Sequence, residues 1–286
     1  MSAIVSAHRA RGAFFETAGV RSFRLDEGRG EPVVLMHGVP TSSFLYRKVI
    51  DALAARGFRG ISFDLPGLGL AERPADFDYT WTGLGRFATA VVDSMGLERF
   101  HLVVHDLGGP VGFELAAARP DRVASLTILN TLVDVETFTK PWVMRPFAVP
   151  GLNRAWLASM RIRPVFRQLM YAMGIHDRSA VSDAEVDAYL ELLVRDDGGR
   201  AFLRMMGSFE TTRAKSELYA ATVTSDRYPV QVVWGRHDPA LTHSRHGRAA
   251  ERVTGLTAAL VPGKHFMQED QAEVVASMVA DLARTA

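Results

Sequence analysis

The chain has 286 residues, of which 48 % are apolar and 23 % charged, with 33 basic against 32 acidic side chains for a formal net charge of +1. This near-neutral balance gives no electrostatic ground for nucleic acid or an anionic membrane as partner, and the composition is that of one folded domain rather than a disordered or fibrous chain. There is no cysteine, which excludes disulfides, thiolate catalysis and zinc–thiolate sites. The first residues, MSAIVSAHRARGAFFETAG, contain no apolar stretch of signal-peptide length. No later run reaches the roughly 18 apolar residues that span a bilayer. A cytoplasmic protein without a membrane span is expected, and nothing in the sequence sets an oligomeric state.

In chain order, Phe14–Arg24 is a candidate antiparallel edge. Val33–Met36 reads as a strand running into His37-Gly38-Val39-Pro40. Thr41, Ser42 and Ser43 then offer N-caps to a helix with Leu45, Val49, Ile50, Leu53 and Ala54 on one face, which Gly57 can stop. Gly60–Asp64 is a second strand, and Trp81–Met95 a helix with Leu84, Phe87, Ala88, Val91 and Met95 at helical spacing. His101–Val104 is a strand that leads to Asp106 and a Gly-rich helix start, and Val123–Leu129 contains another. These runs are apolar without polar alternation, as strands covered on both faces by helices are. Their alternation with helices predicts an α/β fold with a mostly parallel sheet of about eight strands.

From Leu132 to Asp226 the strand pattern stops and helical pieces follow: a stripe of Val165, Phe166, Leu169, Met170 and Met173, a capping box of Ser182 and Glu185, and the Met-rich stretch Ala201–Phe209. Strands return at Val230–Trp234 and Ala258–Val261, with a closing amphipathic helix over Gln271–Leu282. The expectation is a core of residues 1–131 and 227–286 with an inserted helical cap, or lid, of residues 132–226; a separate helical domain is the plainer alternative.

The segment VVHDLGGPVG, residues 103–112, has the strand, tight turn and helix that expose a nucleophile at a strand end. The residue on the turn is Asp106, a carboxylate facing the positive end of the following helix; the plainer reading is an N-capping aspartate. Asp238, in GRHDP, and His265, in GKHF, each follow a strand. The order Asp106, Asp238, His265 is that of nucleophile, acid and histidine on this architecture, with Asp238 fixing the imidazole tautomer. A turn-forming Asp before Pro and a solvated turn histidine are the plainer readings of the latter two. No metal-ligand spacing, Walker sequence or dinucleotide fingerprint is present, so neither metal nor cofactor is expected.

With these motifs assembled, the chain resembles the haloalkane dehalogenase and epoxide hydrolase branch of the α/β-hydrolase superfamily. The likeness runs through HGVPTSS (37–43), FDLPGLGLAERP (63–74), DYT (78–80), HDLGG (105–109), ILN (128–130), GRHDP (235–239) and GKHF (263–266). It implies that Asp106 attacks carbon to form an alkyl ester and that His265, oriented by Asp238, activates the water that hydrolyses it. The amides of Val39 and Leu107 would form the oxyanion hole. Position 107, where most dehalogenases of the branch place a halide-binding Trp, is Leu, and position 39, where many place Asn, is Val. Trp156 and Trp142 are then the candidate halide donors. Tyr171, Tyr189 and Tyr219 are the candidates for the tyrosines that protonate an opening epoxide. Loss of both halide donors favours an epoxide as the small apolar substrate, used with water. Haloalkane dehalogenation, ester or lactone cleavage, and a non-catalytic binding protein on the same fold are the alternatives.

Overall fold

The computed structural model describes residues 1–286. At its centre is one eight-stranded sheet built from β1 (Ala13–Thr17), β2 (Val20–Gly28), β3 (Pro32–Met36), β4 (Arg59–Phe63), β5 (Phe100–Asp106), β6 (Val123–Thr131), β7 (Val230–Gly235) and β8 (Ala259–Val261). The strand order is β1-β2-β4-β3-β5-β6-β7-β8. The pairs β1–β2 and β2–β4 are antiparallel and the remaining five are parallel. All of β6, and β5 up to Asp106, is buried, which is why these strands lack polar alternation.

Helices Arg47–Ala54 and Ala272–Ala283 pack on each other beside the sheet, as do Trp81–Ser94 and Gly108–Ala118. The first helical segment after β3 departs from the continuous helix expected. Ser42 caps a short 3₁₀ turn, Ser43–Tyr46, before the α-helix begins at Arg47. An unanticipated helix, Ala3–Arg11, precedes β1; it buries only Val5 and His8, too few apolar positions to show a stripe. Asp64, fully buried, accepts from the amides of Ser43 (2.7 Å) and Leu70 (2.6 Å) and so ties the loops after β3 and β4 together.

Between β6 and β7 the chain makes helices at Leu152–Met160, Arg163–Met173, Asp183–Val194, Arg200–Gly207 and Arg213–Val223, and no strand. The third begins in the capping box of Ser182 and Glu185. This segment is fastened to the sheet-bearing part by buried charge. Arg47 binds Glu269 through Nη1 (2.6 Å) and Glu185 through Nη2 (2.7 Å). The Tyr189 hydroxyl donates to Glu269, and Lys48 Nζ donates to the Ala180 carbonyl (2.8 Å). No helix of the molecule is long and apolar enough to cross a membrane.

Candidate active site

Asp106 ends β5 and sits at φ 52°, in the left-handed region. For a side chain other than glycine this conformation costs on the order of 1–3 kcal/mol. The helix starting at Gly108 and the flanking strands hold it in place. Val104 is accommodated because residue 112 is glycine; a Cβ at Gly112 would run into the Val104 side chain. Gly38 is required for a related reason. A Cβ there would collide with the Asp106 carboxylate.

Three strand ends bring the titratable groups together. His265 Nδ1 lies 2.8 Å from Asp238 Oδ2, and its Nε2 lies 3.3 Å from Asp106 Oδ2. The other Asp106 oxygen, Oδ1, accepts from the Val39 amide at 2.7 Å. Asp238 Oδ1 accepts from the amides of Ala240 (2.7 Å) and Leu241 (2.9 Å), which leaves Oδ2 for the imidazole. That oxygen has a second donor, Asn130 Nδ2, at 2.7 Å, while Asn130 Oδ1 accepts from the Gly235 amide at 2.8 Å. Asn130 thus bridges the end of β6 to the Asp238 loop from a positive φ of 28°. The ILN triplet was visible in the sequence as a motif, but its asparagine carried no sign of this role.

Burial alone would discharge His265. The carboxylates of Asp238 and Asp106 outweigh that penalty and push its pKa up to about 10. Burial likewise works against the Asp106 charge, but the hydrogen bond and charge of His265 prevail, with the Leu107 amide among the lesser contributors, and hold the carboxyl below its usual range. The resting site is therefore a carboxylate–imidazolium–carboxylate row. His105 beneath it is neutral, with burial lowering its pKa to about 4, and its Nε2 lies 2.8 Å from the His265 carbonyl.

A pH dependence of stability follows from the raised His265 pKa. Stability from a group whose folded pKa is raised is complete below the unfolded value near 6.5 and disappears as pH rises through about 10. Wild-type melting temperature is expected to fall across that window, and to fall less in a His265→Gln variant. Parallel declines in the two proteins would show that the ion row contributes nothing.

Above the triad lies a cavity of about 90 Å³ whose walls combine the loops after β3, β5 and β7 with the β6–β7 helices. Methionines and phenylalanines supply eleven of the 24 lining residues, including Met144, Met160, Met170, Met206, Phe202 and Phe209. Apart from two prolines, the non-apolar lining side chains are Asp106, His265 and Lys140. None of the five leaving-group candidates lines it, and each has a physical reason to be elsewhere. Tyr171 donates to Asp183 (2.8 Å), Tyr189 to Glu269, and Tyr219 to Glu114 (3.0 Å), so all three phenols are committed to carboxylates. Trp156 donates to the Val143 carbonyl at 3.1 Å, and Trp142 is 66 % exposed.

A different aromatic donor faces the cavity. Trp81 opens the Trp81–Ser94 helix, lines the cavity, and is 1 % exposed, yet its Nε1 has no hydrogen-bond partner. An indole N–H left unpaired in the interior costs on the order of 1–3 kcal/mol. In the sequence Trp81 falls in register with Leu84 and Ala88 and so reads as core. Periodicity reports which face a residue occupies and not which of its atoms stays unpaired.

An eight-stranded, mostly parallel sheet with Asp106, His265 and Asp238 at its strand ends defines an α/β-fold hydrolase. The chain belongs to the alpha/beta hydrolase fold family, which matches residues 31–272. It is 30 % identical over 276 residues to Haloalkane dehalogenase 2 of Mycobacterium tuberculosis, covering 94 % of this chain and 93 % of that one. Among solved structures it is similar to Cfl2 of Burkholderia cenocepacia, with a TM-score of 0.81, 26 % identity and 94 % of each chain covered. It also shares its fold with epoxide hydrolase VrEH1 of Vigna radiata, at a TM-score of 0.76 and 21 % identity, with 96 % of this chain and 98 % of that one covered. It is an enzyme of this family, with haloalkane dehalogenases among its relatives.

Proposed function

We propose that this hydrolase displaces a halide from a saturated carbon of a small, largely apolar substrate, through an alkyl ester on Asp106. One observation carries the choice of leaving group: besides the half-buried ammonium of Lys140, the unpaired donor among the cavity-lining side chains is the buried indole N–H of Trp81, and no phenol lines the cavity. Opening an epoxide ends in an alkoxide that must take up a proton, and an indole is far too weak an acid to supply one. A departing halide needs a hydrogen bond but no proton. Trp81 therefore takes the role that Leu107 and Val39 cannot. This reading reverses the preference for an epoxide drawn from the sequence, and it agrees with the mycobacterial relative being a haloalkane dehalogenase.

In this mechanism Oδ2 of Asp106, the oxygen not held by Val39, attacks carbon as the carbon–halogen bond breaks, and the electron pair leaves with the halide. Once the ester has formed, His265 gives up its proton to solvent, the proton that accompanies the departing halide, and as the neutral imidazole it then takes a proton from water. The hydroxide attacks the Asp106 carboxyl carbon, and the amides of Val39 and Leu107 stabilise the oxyanion. Collapse expels the alkoxide, which takes up the proton held by His265 and leaves as the alcohol, and the Asp106 carboxylic acid so formed passes its remaining proton to His265, restoring the resting carboxylate and imidazolium. Esterification helps this second half. It removes the Asp106 charge, one of the two that hold the proton on His265, and so moves the imidazole toward its basic form.

Side-by-side assays of short bromo- and chloroalkanes and of matched epoxides test the proposal. Stoichiometric halide release with slow or absent epoxide turnover is expected. Epoxide hydrolysis with inert haloalkanes would overturn it and would point to Lys140 as the proton donor.

A further inference from the structure

We propose that Lys140 selects substrates that carry a carboxylate at the end remote from the reacting carbon. The proposal rests on the displacement chemistry above and names the substrate class of that same cavity. The chain has four lysines. Lys48 pairs with Glu269 (3.0 Å), Lys215 pairs with Glu114, and Lys264 donates to the Tyr171 carbonyl (2.8 Å). Lys140 alone has neither a carboxylate within ion-pair distance nor a hydrogen-bond acceptor for its ammonium, although the cavity it lines is otherwise apolar except at the triad.

What positions Lys140 is an aromatic face. Its Nζ sits 4.4 Å from the centroid of the Phe209 ring, which also packs against Trp81 (5.1 Å between centroids) and Phe138 (6.2 Å). A cation held on a ring face is attracted by about 0.5–2 kcal/mol. Such an attraction orients the ammonium but does not neutralise it. Burial accordingly lowers the Lys140 pKa with no opposing partner. The candidate triad has two carboxyl groups against one imidazole, so a substrate anion is disfavoured there and attracted to Lys140. An elongated acid therefore binds in one orientation, with its carboxylate at Lys140, its apolar chain against the Met and Phe walls, and its halogen-bearing carbon at Asp106.

The test has two arms. In the first, a series of ω-bromoalkanoates and their methyl esters is assayed with wild type, Lys140→Met and Lys140→Arg. Wild type is expected to prefer the acid at one chain length. Lys140→Met is expected to lower the acid-to-ester ratio of kcat/KM at least tenfold, chiefly through KM for the acid, and Lys140→Arg to retain most of the preference. A ratio unchanged in Lys140→Met overturns the proposal. In the second arm, hexanoate binding is measured by calorimetry, which requires no turnover. Binding to wild type that is weakened in Lys140→Met supports the carboxylate site even if no bromide reacts, which would fault the displacement chemistry alone. Equal binding to both proteins, or none to wild type, overturns the proposal for Lys140 whatever the enzyme does with bromides.

Discussion

Replacing His265 with Gln is expected to arrest the enzyme after a single displacement, with one alkyl group on Asp106. The first half of the proposed reaction needs only the Asp106 carboxylate, a halide acceptor and the exclusion of water. The second half needs a base within reach of the Asp106 carboxyl, and His265 Nε2 at 3.3 Å is the group so placed. Gln cannot accept a proton at neutral pH, so steady-state turnover should fall on the order of 10²–10⁴-fold. The alkylation rate should change far less. Intact-mass measurement after mixing with a reactive bromide should show one alkyl adduct, which proteolysis maps to Asp106 and which Asp106→Ala abolishes. An unshifted mass, with a bromide that wild type consumes, would rule out the aspartyl ester and leave His265 as base for direct attack by water.

The second large effect is expected at Trp81. Trp81→Phe keeps an aromatic ring against Phe209 and removes only the N–H and part of the ring volume. Removing one donor to a developing charge in a dry site costs on the order of 10²–10³-fold, so kcat/KM for chloroalkanes should drop by about that factor. The loss should shrink from chloride to bromide to iodide, because a larger, better leaving group depends less on a hydrogen bond. Since Trp81 makes no hydrogen bond at rest, the variant relieves the cost of an unpaired N–H while losing ring volume, so its melting temperature should change little. A purely structural tryptophan would give the reverse pattern, with stability lowered and halide discrimination unchanged.

Most of the sheet was legible because its strands are short apolar runs with nothing polar to hide. β3, β4, β5 and β7 begin and end within a residue or two of the runs that signalled them. The triad was legible for a related reason. Asp106, Asp238 and His265 each lie at or within four residues of the C-terminal end of a strand, where the sheet brings them together. Illegible were the features set by pairing between distant elements. Three tyrosines in the helical segment looked equivalent until Asp183, Glu269 and Glu114 were seen to claim their hydroxyls. Trp81 and Lys140 became notable only because nothing claims theirs. A sequence shows which donors exist, whereas only the folded arrangement shows which remain free.

The buried cluster of Arg47, Glu269, Glu185 and Tyr189 restricts how this enzyme can be re-engineered. The β6–β7 segment supplies much of the cavity wall, which makes it the obvious cassette to exchange between relatives for a new specificity. Yet Glu185 and Tyr189 travel with that cassette while Arg47 and Glu269 stay behind. A graft lacking an acidic residue and a phenol at those two places would leave the Arg47–Glu269 pair intact but take one further acceptor from the interior guanidinium and one donor from the carboxylate, each loss a defect costing on the order of 1–3 kcal/mol. That is a large share of the total stability of an ordinary domain. Transplants that carry the two residues along, or that replace all four together with packed apolar side chains, escape the defect, so the segment is interchangeable only as half of a matched set.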